Sequence, residues 1–342
     1  MTKRNISYHS RPFLLSPAGK NYLWGGVRLR EEFGKDTMRD VADECLAETW
    51  ECSTHPDGPS IVASGEWKGK TLTDVLNEHP EYLGTHPEQT SGNGQLPILI
   101  KLIDAKENLS VQVHPDDTYA HAKEHGQQGK SEMWYVMDAK EDAKLVYGFY
   151  HDMDKDTLNS SLKDGTIEKY LQKVSIHKDD VFFIEAGTIH AIGAGALIAE
   201  IQENSNLTYR LYDYDRLDKN GCLRELHREK ALDVINLKGS SEPRQPLRVL
   251  KYQKGSASEL LCRCKYFQVE RHLLNTERSR EMVEFYTKKN SFHVFLCMEG
   301  CGVIFMEDGE FLNFFKGDCI FTPANSVNMR FHGKAELLGV HC

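Results

Sequence analysis

Apolar and polar positions alternate over residues 110–114, where Val111 and Val113 separate Ser110, Gln112 and His114, and Pro115 then ends the run. Such a period of two predicts a strand with one apolar and one polar face. Just upstream, LPILIKLIDA (96–105) reads as an apolar strand with Lys101 in its middle. EMWYVMDA and AKLVYGFY predict a further strand pair. Helical spacing appears over 71–84, where Leu72, Val75 and Leu76 share a face and Thr71 or Thr73 can cap. It recurs over 116–125 and 154–173. Residues 11–66 read as short strands and turns, residues 85–95 as a polar loop, and the chain returns to strands and glycine turns from 174 to about 214.

An internal repeat organises these elements. HKDDVFFIEAGTIHAI (177–192) lies without a gap against FKGDCIFTPANSVNMR (315–330), matching Asp180 with Asp318, Phe183 with Phe321 and Ala186 with Ala324. The expected fold class is therefore mainly β, with two jelly-roll barrels of the cupin type and a few inserted helices. The expected domains are residues 1–240, holding the chemistry, and residues 245–342. His190 in the first copy is Asn328 in the second, so a metal site built on His190 would be absent from the second copy.

Composition narrows the partners. The net charge of −9 argues against nucleic acid, which needs a basic surface, and leaves room for a small anionic ligand. No apolar run suits a signal peptide or a bilayer span, so no membrane partner is expected. The nine cysteines are scattered and read as reduced thiols of a cytoplasmic protein, Cys262 and Cys264 included. A monomer or weak homo-oligomer is expected.

Residues two apart on a strand sit roughly 6–7 Å apart on one face, so Gln112 and His114 can reach one ion. Glu132 begins the next strand and His190 follows a glycine turn. Two imidazoles, a carboxylate and an amide oxygen make a mixed N/O set for one divalent metal ion, zinc first, with iron, cobalt or manganese also compatible. The same residues could instead be a hydrogen-bonded strand histidine, a solvated carboxylate and a turn histidine. His121, His125 and His227 lie near these segments and are not counted as ligands.

Four separated segments, residues 96–117, 129–136, 186–195 and 200–216, together resemble type I mannose-6-phosphate isomerases, and most of all their short bacterial form. WGG near the start and the W-E-x-S-x-HP-x-GPS stretch at 50–60 extend the likeness over nearly the whole chain. The resemblance implies a zinc-dependent cupin enzyme that interconverts mannose 6-phosphate and fructose 6-phosphate through a cis-enediol. Carried over residue by residue, it places the zinc on Gln112, His114, Glu132 and His190, and the active-site arginine on Arg210. It also places family lysines on Lys101 and Lys130 and the serine of the metal strand on Ser110. A lysine beside a dication can give up its proton, which makes Lys130 the leading proton-transfer residue, with Lys101 and Ser110 as phosphate or hydroxyl contacts. An arginine stays charged, so Arg210 would stabilise the enediolate or anchor phosphate. The chain departs from the family pattern at Glu185, where proline is usual, and at Asn206, where aspartate is usual. A non-catalytic sugar-phosphate-binding bicupin and an isomerase of another sugar are the competing readings.

Overall fold

The computed structural model describes residues 10–35, 45–87, 95–218, 220–241, 248–278 and 281–342. The fold is mainly β, with antiparallel strands in sheets of ten, six and five among the described residues. The chain divides into two compact units that interleave in sequence. One comprises Ala18–Trp50 and Ile98–Pro246; the other joins Glu51–Pro97 to the segments before Ala18 and from Leu247 onward. The repeat alone suggested a linear division near residues 240–245. Strand pairing accounts for the difference. Phe13–Ser16 is hydrogen-bonded to Cys319–Thr322 on one side, with Phe13 opposite Phe321, and to Ile61–Val62 on the other.

The unit containing residues 98–246 holds the predicted site residues. Its six-stranded sheet runs Val181–Ile184, Glu132–Ala139, Ala196–Glu203, Ile98–Ala105, Glu48–Cys52, Ala18–Lys20. Its five-stranded sheet runs Tyr209–Tyr212, Val111–Val113, His190–Ile192, Lys144–Phe149, Leu171–Ser175. Trp134, Val136, Phe182 and Ile198 of the first sheet pack with Leu145 and Ile192 of the second in one core. The strands Ile98–Ala105 and Ala196–Glu203 are buried at every position, as a central strand covered on both faces requires.

The helices are shorter than their apolar spacing suggests. Thr71 caps Leu72–Glu78 by accepting the Asp74 N–H at 3.0 Å, and Pro80, which has no N–H to donate, opens a separate 3-10 turn, Pro80–Leu83. Asp116 caps Asp117–Lys123 in the same way through Tyr119. The helix expected over 154–173 is corrected to Lys155–Lys163, followed by the 3-10 turn Ile167–Lys169 and a strand, Leu171–Ser175. Gly165 at φ +66° ends the helix, and the strand pairs with Lys144–Phe149. The segment 11–66 also contains a short helix, Arg28–Glu31. Most of the loop expected at 85–95 lies outside the described residues. No helix among them is long and apolar enough to cross a membrane.

The repeat is visible in the turns. Asp180 accepts the His177 N–H at 2.9 Å, and its counterpart Asp318 accepts the Phe315 N–H at 2.8 Å. Left-handed backbone occurs at matched positions: Asp179 and Gly317, then Gly187 and Asn325. Register aligns the preceding strands too. Glu132 stands opposite Ile184, and His293 opposite Thr322, so His293 occupies in the second copy the place of Glu132.

The buried strand Ala196–Glu203 ends on a carboxyl group. Glu203 accepts the Ser131 N–H at 2.7 Å, and burial, then Asp117, pushes its pKa up to about 8. The folded state therefore holds a proton there that the unfolded chain, near 4.5, gives up, so stability falls as pH rises through that window. The expected outcome is a denaturation midpoint that drops between pH 5 and 8 and drops less in Glu203→Gln. Equal slopes in both proteins would contradict this assignment.

Candidate metal centre

The predicted ligands come together from three strands. Gln112 lies in the strand Val111–Val113, opposite His190 in the first position of His190–Ile192. His114 follows the same strand, and its carbonyl accepts the Gly187 N–H at 2.9 Å. That tie fixes the turn leading to His190. Gly187 has φ +89°, and a side chain there would also meet the Val234 carbonyl at 2.9 Å, so only glycine suits the position. Glu132 opens its strand beside Ile184 and Gln202. The loop before it is anchored by Lys130 N–H to the Pro115 carbonyl at 3.0 Å and by Ser205 Oγ to the Gln128 carbonyl at 2.9 Å. Glu185, in place of the family's proline, is exposed; its carbonyl accepts the Thr188 N–H, so the turn keeps its shape.

Only one group among the described residues has the spacing to hold a metal ion: His114, Glu132 and His190. His114 Nε2 is 3.5 Å from Glu132 Oε2, and His190 Nε2 is 3.4 Å from Oε1. Both imidazoles spend Nδ1 on a backbone carbonyl, of Leu207 and of Thr188, each at 2.8 Å. Those bonds place the ring proton on Nδ1 and leave Nε2 as a lone-pair acceptor. Two imidazole acceptors thus face a carboxylate in a buried interior. His114 Nε2 and Glu132 Oε1 have no hydrogen-bond partner, and Glu132 Oε2 is met only by the Lys130 ammonium. Such an arrangement is costly unless a cation sits between the acceptors, so the donor set fits a divalent ion. The Gln112 amide lies 3.3 Å from His190 Nε2, and its oxygen can complete the set.

Electrostatics agree. Burial, then Lys130 and His190, holds His114 well below the usual imidazole range, and burial takes His190 down to about 4. Burial and the neighbouring Glu200 push Glu132 up to about 7, against the pull of Lys130. Neutral imidazoles are the form that ligates metal.

A cavity of about 280 Å³ opens beside these residues, and Lys101, Ser110, Gln112, Lys130 and Arg210 all line it. Lys130 Nζ lies 3.0 Å from Glu132 Oε2. Lys101 Nζ lies 3.2 Å from Glu200 and 3.9 Å from Glu48, and 5.1 Å from the centre of the Trp50 ring. Burial alone would lower its pKa, but Glu200, Glu48 and Glu132 raise it and keep it charged. Arg210 stands opposite Gln112 in register and donates through Nε to Ser110 Oγ at 3.3 Å. Asn206 also lines the cavity. His227 accepts the Arg210 N–H through Nδ1 at 3.2 Å, so it braces that strand and is not a ligand.

Three charged lining residues escaped the reading of the sequence: Glu48, Glu200 and Arg224. For Glu200 a signal existed. It is an isolated charge in the run ALIAEI, as Lys101 is in ILIKLI, and the two stand directly opposite each other in the sheet. Glu48 and Arg224 sit in stretches already rich in charge and carried no such mark.

Comparison with known proteins places the chain in a family. A profile described as the catalytic domain of type I phosphomannose isomerase matches residues 13–128. The Bacillus subtilis protein YvyI is 36% identical over 337 residues, covering 96% of this chain and 98% of its own. The mannose-6-phosphate isomerase ManA of the same organism is 34% identical, covering 97% and 99% respectively. The crystal structure of a Bacillus subtilis mannose 6-phosphate isomerase superposes with a TM-score of 0.85 at 35% identity, over 97% of this chain and all of that one. The chain therefore belongs to the type I mannose-6-phosphate isomerase family.

Proposed function

We propose that this protein is a zinc-dependent aldose–ketose isomerase that interconverts mannose 6-phosphate and fructose 6-phosphate, with each of its two units built on a cupin barrel. The single observation that carries the reading is the buried cluster of acceptors, His114 Nε2, His190 Nε2 and the Glu132 carboxylate, next to a cavity whose lining includes Lys101, Lys130 and Arg210. Its kinship to ManA, a mannose-6-phosphate isomerase, supports the substrate.

The reaction moves a proton between C2 and C1 by way of a cis-enediol. Gln112, His114, Glu132 and His190 would hold the ion, which when bound supplies a Lewis acid for the sugar oxygens. Lys130 faces the cavity and touches Glu132, so it is the residue placed to carry the proton between the carbons. Asn206 has no acid or base to offer, which leaves that task with Lys130. Arg210 keeps its charge and stabilises the enediolate as it forms. Lys101, locked between carboxylates, is a fixed cation that binds and orients the substrate rather than a base. Ser110 offers a hydroxyl on the same wall.

In a coupled assay for fructose 6-phosphate, activity is expected to vanish once a chelator has stripped the ion and to return with zinc. Full activity in protein shown by elemental analysis to be metal-free would overturn the site. Lys130→Ala is expected to lower kcat by about 10²–10⁴, the usual contribution of a positioned acid or base. A fall of less than about tenfold would remove Lys130 from that role.

A further inference from the structure

The rim of the cavity carries an imbalance of charge that the metal chemistry does not use. Arg216 and Arg224 converge on one carboxylate, Asp213, and Arg210 lies three residues before it in the chain. Arg224 donates to it through Nε at 2.7 Å and Nη2 at 2.6 Å, and Arg216 through Nη2 at 2.5 Å. Arg210 has no ion-pair partner among the described residues; its Nη1 donates to the Glu225 carbonyl and its Nε to Ser110. Three guanidiniums against a single carboxylate leave an excess of two positive charges. A phosphate monoester near neutral pH carries about 1.5 to 2 negative charges and matches that excess.

The donors are also aimed. Arg224 Nη1 and Arg210 Nη2 have no hydrogen-bond partner among the described residues, and both side chains line the cavity beside Ser110 and Thr208. Asp213 is 5% exposed, and the turn that follows it holds Tyr214 and Asp215 at φ +58° and +51°. Two successive non-glycine residues in the left-handed region are unfavourable, and the turn keeps them while bringing Arg216 back onto Asp213.

Position separates the two cavity arginines. Arg210 stands opposite Gln112, at the metal end. Asp213 and its partners lie toward the other end of the strand, where Arg216 also donates to the Asn108 carbonyl. In a hexose 6-phosphate the phosphate is on C6, and the carbons that exchange the proton are C1 and C2. With C1 and C2 at the metal, the phosphate points along the cavity away from it.

We propose that Arg224, held in place by Asp213, is the principal phosphate anchor, which leaves Arg210 to act on the reacting carbons. The proposal rests on the isomerase reading above and divides labour within that site. Arg224 binds substrate and transition state alike, so its loss falls on KM, whereas loss of Arg210 falls on kcat.

The test uses the full-length holoenzyme and three variants, Arg224→Gln, Arg224→Lys and Arg210→Gln, each checked for an unchanged thermal midpoint. Arg224→Gln is expected to raise KM for mannose 6-phosphate about 10- to 100-fold with kcat within about threefold, as for a lost charge-assisted bond. Arg224→Lys, which keeps the charge and loses the fork, should fall between it and the parent. Affinity for inorganic phosphate, measured by calorimetry, should weaken in parallel. The calorimetry does not depend on turnover, so it tests the anchor even if the protein fails as an isomerase. Phosphate affinity within twofold of the parent in Arg224→Gln would overturn the proposal. So would a fall confined to kcat.

Discussion

The structure turns on three groups that cannot satisfy one another: the Nε2 atoms of His114 and His190 and the carboxylate of Glu132. Each accepts, none donates, and all are buried. In water they would be hydrated; in this interior Lys130 meets one Glu132 oxygen, and a divalent ion between the acceptors would meet all three groups. Much of the local architecture serves to keep them there. Backbone carbonyls of Leu207 and Thr188 fix the ring protons, Gly187 admits the turn beneath His190, and Pro115 and Ser205 tie down the loop that delivers Lys130 and Glu132. These ties keep the acceptors together, against their mutual repulsion.

Charge is graded along the cavity. At the end next to the His114–Glu132–His190 cluster, Glu132, Glu200 and Glu48 are interleaved with Lys130 and Lys101, so cations and carboxylates nearly cancel. At the rim the arginines outnumber Asp213. A ligand with polar, uncharged hydroxyls at one end and a dianion at the other is oriented by that gradient before any specific contact forms. The overall negative charge of the chain does not oppose this, because the relevant field is set by groups lining a low-dielectric pocket.

The second copy of the repeat shows which features belong to the fold and which to the chemistry. The turn aspartates and the left-handed positions persist, although Asp179 is replaced by Gly317 and Gly187 by Asn325. The turn demands a backbone conformation that glycine, asparagine and aspartate can all adopt. At the ligand positions nothing comparable holds. His293 stands in the place of Glu132 and Asn328 in that of His190, and the strands pair without difficulty.

Local chemistry was legible in the sequence. Alternation put Gln112 and His114 on one face, isolated turn residues marked the repeat, and Thr71 capped its helix as its position suggested. Where a signal depended on neighbours it misled. Residues 164–173 carry helix-compatible spacing, but Gly165 stops the helix and pairing with Lys144–Phe149 draws the next residues into a sheet. The interleaving of the two units was invisible for the same reason, since it rests on strand pairs hundreds of residues apart. The sequence by itself determined the donor types of the cluster and the strand that presents Gln112 and leads into His114, because side-chain direction along a strand is a local property. Only the tertiary structure decided that Glu200 faces Lys101 and that Arg224, held by Asp213, shares a cavity with Arg210. Register and loop return are set by packing across the whole unit, and no short stretch of chain encodes them.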